Sequence, residues 1–143
     1  MNAQVLFLGV MLSLSTVFAT AAQAGNTTRV AATSALGSVV GTALGKEMGG
    51  HSGAMIGSAI GGAGGAAVAS DRRDRTAAAI GGGLGGAGGY AAGRNMGGST
   101  GGYVGSALGA AGGSALGNKI SQDNRYNYYG NSKHNRHKHR RYR

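Results

Sequence analysis

Glycine recurs at every fourth residue over most of this chain. One run is Gly37, Gly41, Gly45, Gly49, Gly53, Gly57, Gly61 and Gly65. The second is Gly81, Gly85, Gly89, Gly93, Gly97, Gly101, Gly105, Gly109, Gly113 and Gly117. Both keep one register, with Ala69, Arg73 and Ala77 at the intervening steps. A period of four lies close to the roughly 3.6 of an α-helix and far from the roughly 2 of a strand. Small residues at this spacing let helix backbones approach closely in a membrane. Each glycine costs a helix about 1 kcal/mol relative to alanine. A bilayer favours helix all the same, because every backbone polar group must pair within the chain.

Charge divides the chain into blocks. No charged residue falls between Arg29 and Lys46, Glu47 and Asp71, Arg75 and Arg94, or Arg94 and Lys119. Each block approaches the length of about 17–25 residues that spans a membrane as helix. Turn-forming clusters mark the joints at Gly49-Gly50-His51-Ser52-Gly53, Ser70–Arg75 and Gly97-Gly98-Ser99-Thr100-Gly101-Gly102. The segment Lys46–Gly61 also repeats as Arg94–Gly109, an offset of 48 residues. The repeated unit reads as helix, Met-Gly-Gly turn, helix.

The expected fold is therefore all-α: two tandem glycine-zipper helical hairpins, four helices in all, near residues 30–47, 53–70, 76–95 and 102–120. They are expected to be membrane-associated and to end in a disordered basic tail. The packing surface assigned to them is Gly37, Gly41, Gly45, Gly53, Gly57, Gly61, Gly65, Gly81, Gly85, Gly89, Gly93, Gly101, Gly105, Gly109, Gly113 and Gly117. Ser38, Thr42, Ser58, Ser106 and Ser114 adjoin the ladder and are placed to bond across helices. Val39, Val40, Leu44, Ile56, Ile60, Leu84, Val104, Leu108 and Leu116 are placed toward lipid or the neighbouring hairpin.

The glycine ladder, the paired hairpins and the turns Met48-Gly49-Gly50 and Met96-Gly97-Gly98 resemble the bacterial glycine-zipper 2TM family and the allied Met-Gly-Gly glycine-zipper proteins. The resemblance covers about residues 33–118. It implies a small secreted envelope protein, similar to outer-membrane lipoproteins and surface antigens linked to envelope integrity. This chain has no cysteine, so it lacks the lipid-modified residue of the lipoprotein members. Its tie to the membrane then rests on the hairpins.

The N-terminal segment reads as a signal peptide at 1–24: an apolar stretch over Val5–Phe18, then Ala22-Gln23-Ala24 before Gly25. Its n-region carries no Lys or Arg, and the stretch is short for a span. The remaining chain divides into a duplicated helical domain, 25–122, and a basic tail, 123–143. Large apolar side chains are few, so a water-soluble bundle of this composition would have little area to bury.

No catalytic constellation stands out. The four acidic residues are Glu47, Asp71, Asp74 and Asp123, and Asp71 and Asp74 are expected to pair locally with Arg72, Arg73 and Arg75. The histidines have no cysteine or carboxylate partner for a triad. Gly81-x-Gly83-x-x-Gly86 matches a dinucleotide fingerprint by letter only, with no preceding strand. We therefore expect no enzyme, no cofactor and no metal site. His134, His137 and His139 in the tail are read as carriers of charge rather than ligands.

The formal net charge is +10, much of it after Lys119. Arg125, Lys133, Arg136, Lys138, Arg140, Arg141 and Arg143 are assigned to contact with anionic surfaces. Tyrosines among them would suit nucleic acid, but export points instead to lipid phosphate, lipopolysaccharide or an anionic wall polymer. The functional expectation is an envelope structural protein that homo-oligomerises in or on a membrane, with outer-membrane association and periplasmic termini. The alternatives are a secreted glycine-zipper pore-forming toxin and a fibril-forming surface protein.

Overall fold

The computed structural model describes the backbone of residues 25–139 and the side chains of residues 25–126. The proposed signal peptide, 1–24, and the last four residues lie outside the described part. Two helices account for nearly all of the rest: α1, Asn26–Ala69, and α2, Arg75–His139. All-α is the class observed, but the expectation of four helices is corrected to two, each doubled back on itself. The reversal needs no loop. Helical torsions fail only at Gly49 (φ −143°, ψ 22°) and Gly50 (φ 58°, ψ −130°) in α1. In α2 they fail only at Gly97 (φ −137°, ψ 22°) and Gly98 (φ 61°, ψ −143°). The second residue of each pair has positive φ with negative ψ, a region open essentially to glycine alone. The turn clusters anticipated over five or six residues thus shrink to two.

The disordered tail is a second correction, because α2 runs on without interruption to His139. Extending a helix that is already nucleated adds one hydrogen bond per residue fixed, which is far easier than starting one. The stretch after Lys119 is also anchored at its beginning. Ser121 Oγ donates to Asp74 Oδ1 at 2.7 Å, and Arg125 donates to Asp74 Oδ2 at 2.6 Å.

Doubling back places the two arms of each helix antiparallel. Gly37 meets Gly61, Gly41 meets Gly57 and Gly45 meets Gly53. In α2 the pairs are Gly81 with Gly113, Gly85 with Gly109, Gly89 with Gly105, and Gly93 with Gly101. Each pair is equidistant from the first turn glycine, Gly49 or Gly97. Because that glycine is itself a ladder position, reversal maps the ladder onto itself. α1 and α2 then pack against each other with both reversals at one end, where Lys46 Nζ lies 5.6 Å from the ring centre of Tyr103. The connection 70–74 lies at the other end. There Ser70 N donates to Ala66 O at 3.0 Å and Asp74 N to Asp71 O at 2.9 Å.

Candidate functional site

Along every arm the chain repeats one tetrad of environments. A ladder glycine faces the other arm of its own helix. The residue after it is buried between α1 and α2, the next is half-buried, and the fourth is exposed. Sequence reading found the first column because it is written in a single letter.

The ladder column is a backbone-on-backbone contact. A Cβ added to Gly57 would fall on the carbonyl oxygen of Gly41 and 3.2 Å from Cα of Gly45. One added to Gly105 would fall on the carbonyl oxygen of Gly89 and 3.0 Å from Cα of Gly93. The ladder continues past glycine at the connection end, where Gly65 meets Thr33 and Gly117 meets Ala77. With no side chain between them, the arms lie closer than the usual helix spacing of about 8–10 Å. Dispersion and weak Cα–H···O contacts accumulate along the whole arm.

The buried column holds Val30, Ser34, Ser38, Thr42, Ala54, Ser58, Gly62 and Ala66 in α1, and Ala78, Tyr90, Ser106, Ala110, Ser114 and Asn118 in α2. Gly82, Gly86 and Gly102 belong to the same column of α2. This is a core of small and hydroxyl-bearing residues. Ser34 Oγ donates to Gly62 O at 2.8 Å and lies 3.1 Å from Ala110 O. Ser38 Oγ donates to Ser106 O at 3.1 Å, and Thr42 Oγ1 approaches Ser106 Oγ at 3.3 Å. Of the five hydroxyls singled out for cross-helix bonding, Ser38, Thr42 and Ser106 are brought together. Ser58 and Ser114 bond carbonyls of their own turn, Met55 O and Ala111 O. The seam is filled: a Cβ on Gly62 would meet Gly82 O at 2.5 Å, and one on Gly86 would meet Ser58 O at 2.6 Å. Tyr90 occupies the room left by Gly102, where an added Cβ would sit 2.7 Å from its ring.

The exposed column carries the large apolar side chains. Val40, Leu44, Ile56, Ile60, Leu84, Val104, Leu108 and Leu116 all lie on the outside, with Leu84 72% and Leu108 69% exposed. Val39 is half-buried. Met48 and Met96 are almost fully exposed beside the reversals. α1 is long and apolar enough to cross a membrane, a test that the core helix of a soluble protein also passes. Only 28% of its most apolar 18-residue window is buried, however.

At the connection end, local pairing of Asp71 and Asp74 gives way to longer-range contacts. Asp71 accepts from Asn26 Nδ2 at 2.9 Å. Asp74 is fully buried and takes the guanidinium of Arg125, whose side chain is 38% exposed. The doubled-back architecture carries Ser121 and Arg125 to the level of the connection, and their pairing with Asp74 had no signal in the sequence. Arg125, assigned to anionic surfaces, therefore spends one N–H on Asp74. Asn118 Nδ2 reaches Thr27 Oγ1 at 3.4 Å, and its buried amide oxygen has no partner. Of the other assigned cations, Lys133, Arg136 and Lys138 have described backbone only. Arg140, Arg141 and Arg143 lie outside the described residues. No group of three potential metal ligands occurs among the described residues.

No protein-family model, no curated protein and no solved structure matches this chain.

Proposed function

We propose that this chain is a non-enzymatic structural protein of a bacterial cell envelope. Its doubled-back helices pack and oligomerise in or on the membrane, and its basic C-terminal stretch contacts anionic envelope components such as lipopolysaccharide or a wall polymer. The observation that carries the reading is the inverted distribution of side chains. Serine, threonine, glycine and alanine fill most of the interior, with Val30, Tyr90 and Asn118 the large exceptions, while most of the Leu, Ile and Val side chains line the outside. In water that arrangement exposes extended apolar faces, which mark interaction or membrane surfaces. In lipid it costs nothing, and close packing of small residues becomes the main attraction between helices.

The resemblance to glycine-zipper 2TM proteins supports the same reading. The arms of α1, His51–Ala69 at about 28 Å and Asn26–Met48 at about 34 Å for about 1.5 Å per residue, bracket a typical core of about 30 Å. Charge supports outer-membrane placement. Arg29, the Arg72–Arg75 connection and the basic stretch share one end. An exported chain would put that positive end outside the inner membrane, against the positive-inside rule. Flotation of the full chain with preformed vesicles tests the reading. The chain should float and resist carbonate extraction without releasing trapped dye. Recovery as a soluble species would overturn membrane association. Dye release at low protein-to-lipid ratio would favour the pore-forming alternative.

A further inference from the structure

The outer face of α1 is a groove. Its floor is the glycine ladder from Gly37 to Gly65, and its walls are two rails, Leu36–Val40–Leu44–Met48 on one arm and Ile56–Ile60–Val68 on the other. It is open to the outside, holds about 820 Å³ and is almost wholly apolar. Each rail covers three helical turns, about 18 Å.

We propose that this groove is a lipid site: it seats one acyl chain of an anionic phospholipid, with the headgroup phosphate at the arginines beyond its open end. The proposal rests on the membrane reading above and names the partner of one face.

Two observations select this occupant. The first is width. The rails rise from arms whose backbones touch, so their separation is less than that of ordinarily packed helices. A second helix, about 10 Å across with its side chains, can only bridge the rail tops, whereas a single methylene chain reaches the glycine floor. The second is charge. Thr33 and Val68 line the groove at the connection end. Arg29 lies one helical turn before Thr33 on the first arm, and Arg72 and Arg73 lie in the connection that follows the second arm, where they outnumber Asp71; all four are exposed. At the reversal end the lining stops at Met48 and Gly49, where Lys46 and Glu47 balance in charge. An amphiphile with an apolar chain and a negative head therefore fits best with its head at the connection end.

Gly64 supplies the test. It lines the groove at a gap in the second rail, and a Cβ there would meet nothing within 4 Å. Its counterpart 48 residues on, Gly112, is equally open but lies on α2. The full chain in a mild detergent is incubated with phosphatidylglycerol or with phosphatidylcholine, and retained lipid is counted by native mass spectrometry. The expected result is one retained phosphatidylglycerol per chain. Gly64→Leu should lose it and Gly112→Leu should keep it. Arg72→Ala and Arg73→Ala should each weaken retention about fivefold, the equivalent of the roughly 1 kcal/mol that a basic residue contributes at an anionic surface. Equal retention in both glycine variants, no preference for the anionic lipid, or a dimer with no bound lipid would each overturn the site. Circular dichroism of Gly64→Leu confirms that its helix is intact. Flotation separates the two levels of the argument: a Gly64→Leu chain that floats without a retained lipid supports both, while a wild-type chain that does not float refutes the membrane reading itself.

Discussion

α1 and α2 descend from one repeated unit, yet they differ where they touch. Their ladder columns are alike: Gly41 and Gly57 in α1 stand where Gly89 and Gly105 stand in α2. Their buried columns are not alike. Ser34 and Ser38 of α1 correspond to Gly82 and Gly86 of α2, and Thr42 and Ala54 to Tyr90 and Gly102. The differences are complementary. A Cβ on Gly82 would sit 2.7 Å from Ser34 Oγ, and one on Gly86 3.0 Å from Ser38 Oγ. At these two positions α1 brings a hydroxyl and α2 brings bare backbone that makes room for it; elsewhere α2 carries Ser106 and Ser114 and α1 the bare Gly62. The ladder serves contacts within each unit and departs from glycine only near the connection, at Thr33 and Ala77. The second column serves contacts between units, where two copies of one surface must become partners.

The largest test of this contrast falls on the ladder. Gly57→Leu and Gly105→Leu drive a side chain into the backbone of the opposite arm. Overpacking costs about 1–3 kcal/mol where neighbours can shift, and more where they cannot. Two helix backbones cannot, so either variant should lose cooperative unfolding in detergent. Ala59→Leu and Ala107→Leu, at half-buried positions off the ladder, should cost clearly less. Equal effects would mean that the ladder is not the packing surface.

The reversals come next. Gly50→Ala and Gly98→Ala force a side chain into a positive-φ conformation at about 1–3 kcal/mol each. Gly49→Ala and Gly97→Ala have ordinary negative φ and open space around them, and should cost little. Thermal unfolding of the four variants would show two affected and two nearly silent. A uniform response would place the turns elsewhere.

At the connection end, Asp74→Ala removes the acceptor for Ser121 and Arg125. Hydrogen bonds to charged groups contribute about 1.5–3 kcal/mol, and the half-exposed guanidinium of Arg125 brings the expected loss toward the lower figure. The readout is hydrogen exchange. The helix beyond Ile120 should lose protection while the ladder arms keep theirs, and loss spread over both would contradict a local anchor. The smallest effect belongs to the seam hydroxyls. Ser38→Ala forfeits one neutral bond at about 1 kcal/mol, measurable as a small fall in the unfolding midpoint.

The comparison also explains what the sequence makes legible. The ladder is readable because one residue type fills all of it but its ends, and the 48-residue repeat is readable because Met-Gly-Gly recurs. The seam is not readable, since serine, threonine, alanine, glycine, tyrosine and asparagine all occupy it. Its partners are also remote: Ser34 and Ala110 are 76 residues apart. Helix count fails for a related reason. A glycine cluster signals that the chain turns, but a pair such as Gly49-Gly50 reverses direction in two residues and leaves no connecting segment. The helical continuation to His139 has no apolar period to announce it, and its anchor, Asp74, lies 51 residues from Arg125.

The central claim is that the exposed apolar column faces lipid. The chain has no cysteine, so single cysteines can be placed at will. Spin labels at successive positions from Ile56 to Val68 and from Val104 to Leu116, in vesicles, report collision with oxygen, which concentrates in lipid, and with a water-soluble nickel chelate. The account predicts oxygen accessibility peaking at 56, 60, 64 and 68 and at 104, 108, 112 and 116, with nickel excluded throughout. Nickel accessibility peaking at those same positions would place the column in water and contradict the account.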